Sequence, residues 1–236
     1  MNPVILGDGV LGKELKTQTG WDYISRRKDG FDALNPNFQH LISQEHGVIF
    51  YPKYDVVINC IANTNSYSDD LQSHLDINYK FVIALTDFCK EWKIKLVHIS
   101  TEFVYANNKK NAFDWSLPKE SDLPLPSNNH YAKTKLLADQ YISLMSDKYL
   151  ICRGLHKSND FSPSQVWDIK TCGDKVKHIA PLIIKLINKN ATGIFNIGTG
   201  YKSYSDLYPK GEVIKPPSYV PLDTSMCLDK LNYFLK

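Results

Sequence analysis

The 236 residues carry a net charge of +3, too little to argue for a nucleic-acid partner and equally well explained by a mildly basic cleft for phosphates. With 43% hydrophobic and 22% charged residues, the chain has enough apolar material for one well-cored domain, or one domain with a small appendage. The five cysteines (Cys60, Cys89, Cys152, Cys172, Cys227) are scattered without a CxxC pair. That argues for free thiols in a reducing cytoplasm, against a disulfide framework, and for no bound metal. No apolar run approaches the ~18 residues of a membrane helix, and Pro3–Leu6 reaches the glycines without a signal-peptide pattern. The expectation is a soluble, cytoplasmic protein with no membrane partner.

Pro3 to Leu6 is a short apolar run ending at glycine, the form of a buried parallel strand. A helix is expected from Val10 to Lys16, then a second strand over Trp21–Ser25, closed by Arg26-Arg27-Lys28. Asn35-Pro36 offers an N-cap with proline at the first helical position, predicting a helix toward Ile42. Val56 to Ile61 is the clearest strand in the chain, and Asp69 to Trp92 carries helical periodicity. Lys95–Ile99 is another strand, leading into Ser100-Thr101. The stretch 106–128, rich in Asn, Pro and Ser, reads as an ordered excursion. A helix over His130–Met145 and a strand over Tyr149–Cys152 follow. Beyond residue 153 the pattern weakens: 154–175 has no clear period, Val176–Ile187 is helical, Gly193–Ile197 is a strand, and a last helix is expected near Ser225–Phe234. Alternating strands and helices imply a parallel sheet covered on both faces, an α/β fold.

Two motifs carry chemistry. Gly7-Asp8-Gly9-Val10-Leu11-Gly12 lies between a strand and a helix, the setting in which a dinucleotide pyrophosphate meets a helix N-terminus. About twenty residues on, an acid would select NAD and an arginine the 2′-phosphate of NADP. Arg26, Arg27 and Lys28 stand there with no acid among them, so NADPH is favoured, with NADH the alternative. The bland reading is a solvated basic turn. Tyr131-Ala-Lys-Thr-Lys135 puts a phenol and an ammonium one helical turn apart; a neighbouring cation favours the phenolate and lowers its pKa. A second YxxxK, Tyr105 to Lys109, falls among asparagines where no helix would join its ends. Thr101, directly after a strand, is placed to donate to a carbonyl oxygen at the sheet's carboxyl edge; its bland reading is a capping residue. Together these residues describe an enzyme that moves a hydride and a proton.

GDGVLG at 7–12, DVVINCIANT at 55–64, DIN at 76–78, VHISTEFVYAN at 97–107 and PSNNHYAKTK at 126–135 resemble the extended short-chain dehydrogenase/reductase family, most closely its dTDP-4-dehydrorhamnose reductase branch. GIFNIGTG at 193–200 and PLDTSMCLDKL at 221–231 are weaker echoes. The resemblance implies a Rossmann-type doubly wound parallel sheet over residues 1–153, carrying the catalytic residues. A small, reduced substrate-binding portion over 154–236 would be interleaved with it in one structural domain. It implies Thr101, Tyr131 and Lys135 as the catalytic set, Gly7, Gly9, Val10, Leu11 and Gly12 at the pyrophosphate, and Asp32 near adenine. Ala62 and Thr64 would line the cofactor trough, and Asn78 would support the site from the long helix. Tyr131 and Lys135 would also touch the cofactor, Lys135 through the nicotinamide ribose.

The implied activity is NAD(P)H-dependent reduction of a 4-keto-6-deoxy nucleotide sugar, the partner being that sugar; a homodimer is open. The chain departs from the family in being shorter, with a deletion expected between Arg153 and Val176. Arg153-Gly154-Leu155-His156 stands where a tryptophan commonly meets the sugar, and Glu102 stands where aspartate is usual. Two alternatives stay open. One is an epimerase/reductase of the same superfamily, for which His156 and Cys152 are the nearby acid/base candidates. The other is a non-catalytic NADP-binding regulatory protein.

Overall fold

The computed structural model describes residues 1–43, 51–108 and 117–236. Six parallel strands form the central sheet: β1 (Pro3–Leu6), β2 (Asp22–Ile24), β3 (Val56–Asn59), β4 (Lys95–Ile99), β5 (Tyr149–Gly154) and β6 (Gly193–Ile197). Their spatial order is β6-β5-β4-β3-β1-β2. The chain thus steps outward from β1 to β2, then returns across β1 to lay down β3. That reversal opens a crevice beyond the carboxyl ends of β1 and β3, where open α/β sheets bind ligands.

Continuous apolar strands need cover on both faces, and alternate side chains supply it. Ile5, Ile58, Val97 and Leu150 face one layer, packed against Leu11 and Leu15 of α1 (Val10–Thr19) and Ile179, Ile183 and Leu186 of the helix Val176–Asn188. Val4, Leu6, Val57, Leu96 and Ile151 face the other, against Phe81, Val82 and Leu85 of Phe81–Glu91 and Ala138 and Ile142 of His130–Met145. Truncating one such residue, Ile58→Ala for example, costs ~2–5 kcal/mol.

Most strands and helices fall where the sequence puts them; four segments differ. The basic residues after β2 form a short helix, α2 (Arg26–Asp29), because Ser25 caps it by accepting from the Lys28 amide. The helix expected from Asn35 shrinks to a 3₁₀ turn over Phe38–Leu41, since Asn37 accepts from the nearby Gln39 amide and starts the turn there. The long helix is a composite of α3 (Leu71–Leu75), a π turn over Asp76–Lys80, and α4 (Phe81–Glu91). The stretch 154–175 holds short strands, among them Gln165–Trp167, which pairs in parallel with Glu212–Ile214. No described helix is long and apolar enough to cross a membrane.

Candidate active site

The glycine turn after β1 is built by two close approaches. Gly7 has φ +98°, and a Cβ there would lie 2.8 Å from the Ile61 side chain. A Cβ on Gly12 would lie 2.1 Å from the Gly7 carbonyl oxygen, so α1 packs directly on the turn. Gly9 is the N-cap of α1 and offers no side-chain bond, leaving the helix's first amides, with Val10 exposed, for an external acceptor. The residues present therefore fit a pyrophosphate. The basic turn stands beside them: Arg27 Nε lies 3.9 Å from Asp8, and Arg26 Nη2 lies 3.5 Å from Asp32. The side chains of Arg26 and Arg27 are 76% and 82% exposed, so both can turn to a phosphate. Asp32 accepts from the Leu34 amide.

A cavity of about 530 Å³ opens at the carboxyl ends of β3, β4 and β5. Cys60, Ala62 and Thr64 line it, as do Thr101 and Tyr131. Tyr131 sits in the first turn of α5 (His130–Met145), which Asn129 starts by accepting from the Ala132 amide at 2.7 Å. Thr101 accepts from the Phe103 amide at 3.2 Å, so it does cap a turn. Its hydroxyl stands beside the Tyr131 phenol and favours the charged form of that group. Burial pushes the Tyr131 phenol up to about 12, the Thr101 hydroxyl working against that rise.

Lys135 does not do what helical spacing alone predicts. It is 1% exposed, and its Nζ bonds the Ile99 carbonyl at 2.6 Å and His98 Nε2 at 2.9 Å. It neither lines the cavity nor lowers the tyrosine here. Burial brings its ammonium down to about 8. The physical reason is competition: a buried amine takes the nearest acceptor, and the last carbonyl of β4 lies closer than any group in the cavity. Asn78, expected among the cofactor contacts, is fully buried away from the cavity. It accepts from the Asn63 amide at 2.8 Å, donates to the Asn63 carbonyl at 3.0 Å and reaches Thr134 at 3.3 Å. Its place is a brace that fixes the Ala62–Thr64 loop to α5. Lys109 of the second YxxxK lies outside the described residues. Its Tyr105 points elsewhere, accepting from the buried Arg153 guanidinium.

Asp139 and the aromatic residues of the cavity wall escaped the sequence reading. Ser100 donates to Asp139 Oδ2 at 2.9 Å, and Arg153 Nε donates to the same oxygen at 2.9 Å, a buried pair locking β4, β5 and α5 together beneath the cavity. The cavity wall is largely apolar and aromatic, with Tyr67, Trp167, Tyr204 and Tyr208 among its residues. Trp167 meets Tyr67 edge to face at 6.3 Å, so a tryptophan does reach the cavity, from the strand Gln165–Trp167 rather than from the end of β5. The alternation Gln165-Val166-Trp167 was its only signal. Glu102 is fully buried, accepting from Thr171 at 2.8 Å and from Thr224, and burial pushes it up to about 7. It ties the C-terminal portion to β4 rather than facing the cavity. Of the acid/base candidates, His156 lines the cavity and is held neutral by burial, near 4, whereas Cys152 is buried within β5.

A glycine turn under an open helix end, beside a Thr–Tyr pair at the carboxyl edge of a parallel sheet, defines a Rossmann-type protein of the extended short-chain dehydrogenase/reductase class. Within that class the chain belongs to the RmlD substrate binding domain family, whose model matches residues 1–155. Members of this reductase group are NAD(P)-dependent sugar-nucleotide oxidoreductases. No curated protein matches the chain in sequence. Among solved structures it is similar to a dTDP-4-dehydrorhamnose reductase from Clostridium acetobutylicum, with TM-score 0.76 and 20% identity over 100% of this chain and 91% of that one. The dTDP-4-dehydrorhamnose reductase of Bacillus anthracis, in complex with NADP, gives TM-score 0.74 and 18% identity over 98% and 92%. The UDP-glucuronic acid 4-epimerase of Bacillus cereus, in complex with NAD, gives TM-score 0.71 and 18% identity over 100% and 92%. At these identities the likeness is one of fold.

Proposed function

We propose that the protein reduces the keto group of a 4-keto-6-deoxy nucleotide sugar, with NADPH as the preferred reductant and NADH the alternative. The observation that carries this reading is the Thr101–Tyr131 hydroxyl pair in the lining of a cavity at the carboxyl ends of β3, β4 and β5, with Cys60, Ala62 and Thr64 in the same lining. The reduced nicotinamide, when bound, supplies the hydride. Gly7, Gly9, Val10, Leu11 and Gly12 hold its pyrophosphate, Arg26 and Arg27 the 2′-phosphate, with Asp32 near the adenine. Ala62 and Thr64 line the trough. Thr101 donates a hydrogen bond to the keto oxygen. Tyr131, kept as the neutral phenol by burial, gives its proton to the oxygen as charge develops there, the role of a general acid. Lys135 serves the nicotinamide ribose and stabilises the phenolate left behind.

In this account residues 1–153 form the cofactor-binding and catalytic core. The portion 154–236 encloses the sugar nucleotide, its Trp167, Tyr204 and Tyr208 providing flat apolar surface. The five cysteines, all unpaired, suit a reducing cytoplasm. The family and the site support this reduction; the epimerising alternative would draw its acid/base group from His156, which lines the cavity. Incubation with NADPH and a panel of 4-keto-6-deoxy nucleotide sugars, following NADPH absorbance, tests it: sugar-dependent oxidation is expected. Tight NADPH binding with no sugar reduced would leave a regulatory NADP-binding protein in its place.

A further inference from the structure

One chain of hydrogen bonds beneath the cavity has a direction fixed at its start. The Ile61 backbone N–H can only donate, and it donates to Asn59 Oδ1 at 3.0 Å. The other end of that amide is therefore the NH₂ group, and Asn59 Nδ2 lies 3.2 Å from His98 Nδ1. An amide NH₂ can only donate, so Nδ1 must accept. A neutral imidazole has one accepting nitrogen and one N–H, and full burial holds His98 neutral, well below its ordinary range. The proton of His98 therefore sits on Nε2, pointing at Lys135 Nζ 2.9 Å away. An ammonium there would set two donors face to face. A free amine instead accepts from His98 with its lone pair while donating to the Ile99 carbonyl at 2.6 Å.

We propose that, without cofactor, this chain stores Lys135 as a neutral amine fixed by His98 and Asn59, and that cofactor binding is coupled to uptake of one proton by that amine. His98 is a positioning residue: it acts through Lys135 and lies outside the cavity lining. The coupling rests on the cofactor reading above; the state of the lysine does not.

The surroundings permit both forms. Asp139, one turn further along α5, favours the ammonium, but its charge is already met by Arg153 at 2.9 Å. Cys60, at the end of β3, stays a thiol, pushed up to about 12 by burial. His156, beyond β5, is neutral. Burial brings Lys135 down to about 8, which alone still favours the ammonium at about pH 7; it is the polarity of the hydrogen-bond chain, with His98 donating towards Nζ, that turns the balance to the amine. Protonation is R–NH₂ plus a solvent proton giving R–NH₃⁺, after which the His98 contact must break. The lysine is then released to serve the ribose as a cation, which is the form that stabilises a phenolate.

The test needs no substrate. In unliganded protein, ¹⁵N-histidine spectra read the His98 tautomer, and ¹³C-labelled lysine spectra read the Lys135 charge, assigned by the resonance lost in Lys135→Arg. The expected result is the Nε2–H tautomer and an amine at about pH 7. An Nδ1–H tautomer, or an ammonium at that pH, overturns the proposal. Asn59→Asp is nearly isosteric and reverses the chain, because a carboxylate accepts at both oxygens. His98 should then carry its proton on Nδ1, and Lys135 should titrate roughly two pH units higher. A rise in Lys135 without the tautomer change would mean simple charge attraction and would overturn the polarity argument. Should that variant fail to fold, the wild-type spectra still decide. Calorimetry of NADPH binding in two buffers of different ionisation enthalpy reads the coupling. Uptake approaching one proton per site near pH 7.5 is expected for the wild type and little for Asn59→Asp. Binding without uptake overturns the coupling. Absence of NADPH binding counts against the cofactor reading and the coupling together, while the spectra still judge the lysine.

Discussion

Tyr131 and Lys135 lie one turn apart on the same helix, yet only the tyrosine reaches the cavity; the lysine turns beneath it to the Ile99 carbonyl, 2.6 Å away. A motif at helical spacing fixes which face two side chains share, but not where two long side chains end. The phenol is consequently governed by burial and by Thr101, not by a neighbouring cation.

Removing that phenol should therefore abolish proton delivery and little else. Tyr131→Phe is expected to lower kcat by about 10²-fold or more while NADPH affinity changes only a few-fold, measured by steady-state kinetics and by fluorescence titration. Unchanged turnover would remove Tyr131 from the mechanism. Tyr105→Phe should behave differently, since it strips a partner from the buried Arg153. It should cost ~1–3 kcal/mol in denaturant unfolding with turnover per folded molecule preserved.

The exposed arginines after β2 make a prediction about cofactor choice. Arg26→Ala combined with Arg27→Ala should weaken NADPH by on the order of tenfold or more, as expected for loss of charge-assisted bonds to the 2′-phosphate, and leave NADH nearly unaffected. Equal losses for both cofactors would assign the arginines to general surface charge.

Glu102 predicts a pH dependence of stability. Its folded pKa, about 7, lies above the ordinary 4.5. Between those values the unfolded chain has released a proton that the folded chain still holds, so stability falls as pH rises from about 4.5 to 7. Above about 7 the full penalty of burying the carboxylate is present. Glu102→Gln should remove it, narrowing the loss between pH 5 and 8 by on the order of 1–3 kcal/mol in denaturant unfolding at the two pH values. A variant with the same pH slope as the wild type would show that Glu102 is not the group responsible.

How much of this could be read from the residues depends on what each inference required. Val56–Ile61 and Lys95–Ile99 are predominantly apolar, so local chemistry marks them as buried strands despite Asn59, Lys95 and His98, and β3 and β4 follow. The glycine turn was legible because steric demand at Gly7 and Gly12 leaves no other residue type. His98 was not legible: a histidine inside a strand looks like any polar interruption until Asn59 and Lys135, distant in sequence, are seen on either side of it. Trp167 was missed because a three-residue strand in a Ser- and Pro-rich stretch carries too short a period to register, although its partner Glu212–Ile214 makes it a strand. The helix expected from Asn35 failed where local capping by Asn37 outweighed the proline signal.

Trp167 should matter to binding more than to chemistry. It lines the cavity beside Tyr67 and contributes flat apolar surface. Trp167→Ala should raise KM for the sugar nucleotide several-fold or more with kcat little changed, the signature of lost uniform binding. A selective fall in kcat would instead place the tryptophan near the reacting atoms.

On the proposed function, the Thr101–Tyr131 pair reduces a keto sugar. The most direct measurement of this is the rate of NADPH oxidation by the purified wild-type chain with 4-keto-6-deoxy nucleotide sugars, raised to millimolar concentration, alongside Tyr131→Phe. The account predicts oxidation that depends on the sugar, yields the corresponding 4-hydroxy sugar, and collapses in the variant. NADPH bound tightly by both proteins, with no sugar reduced at any concentration, would contradict it.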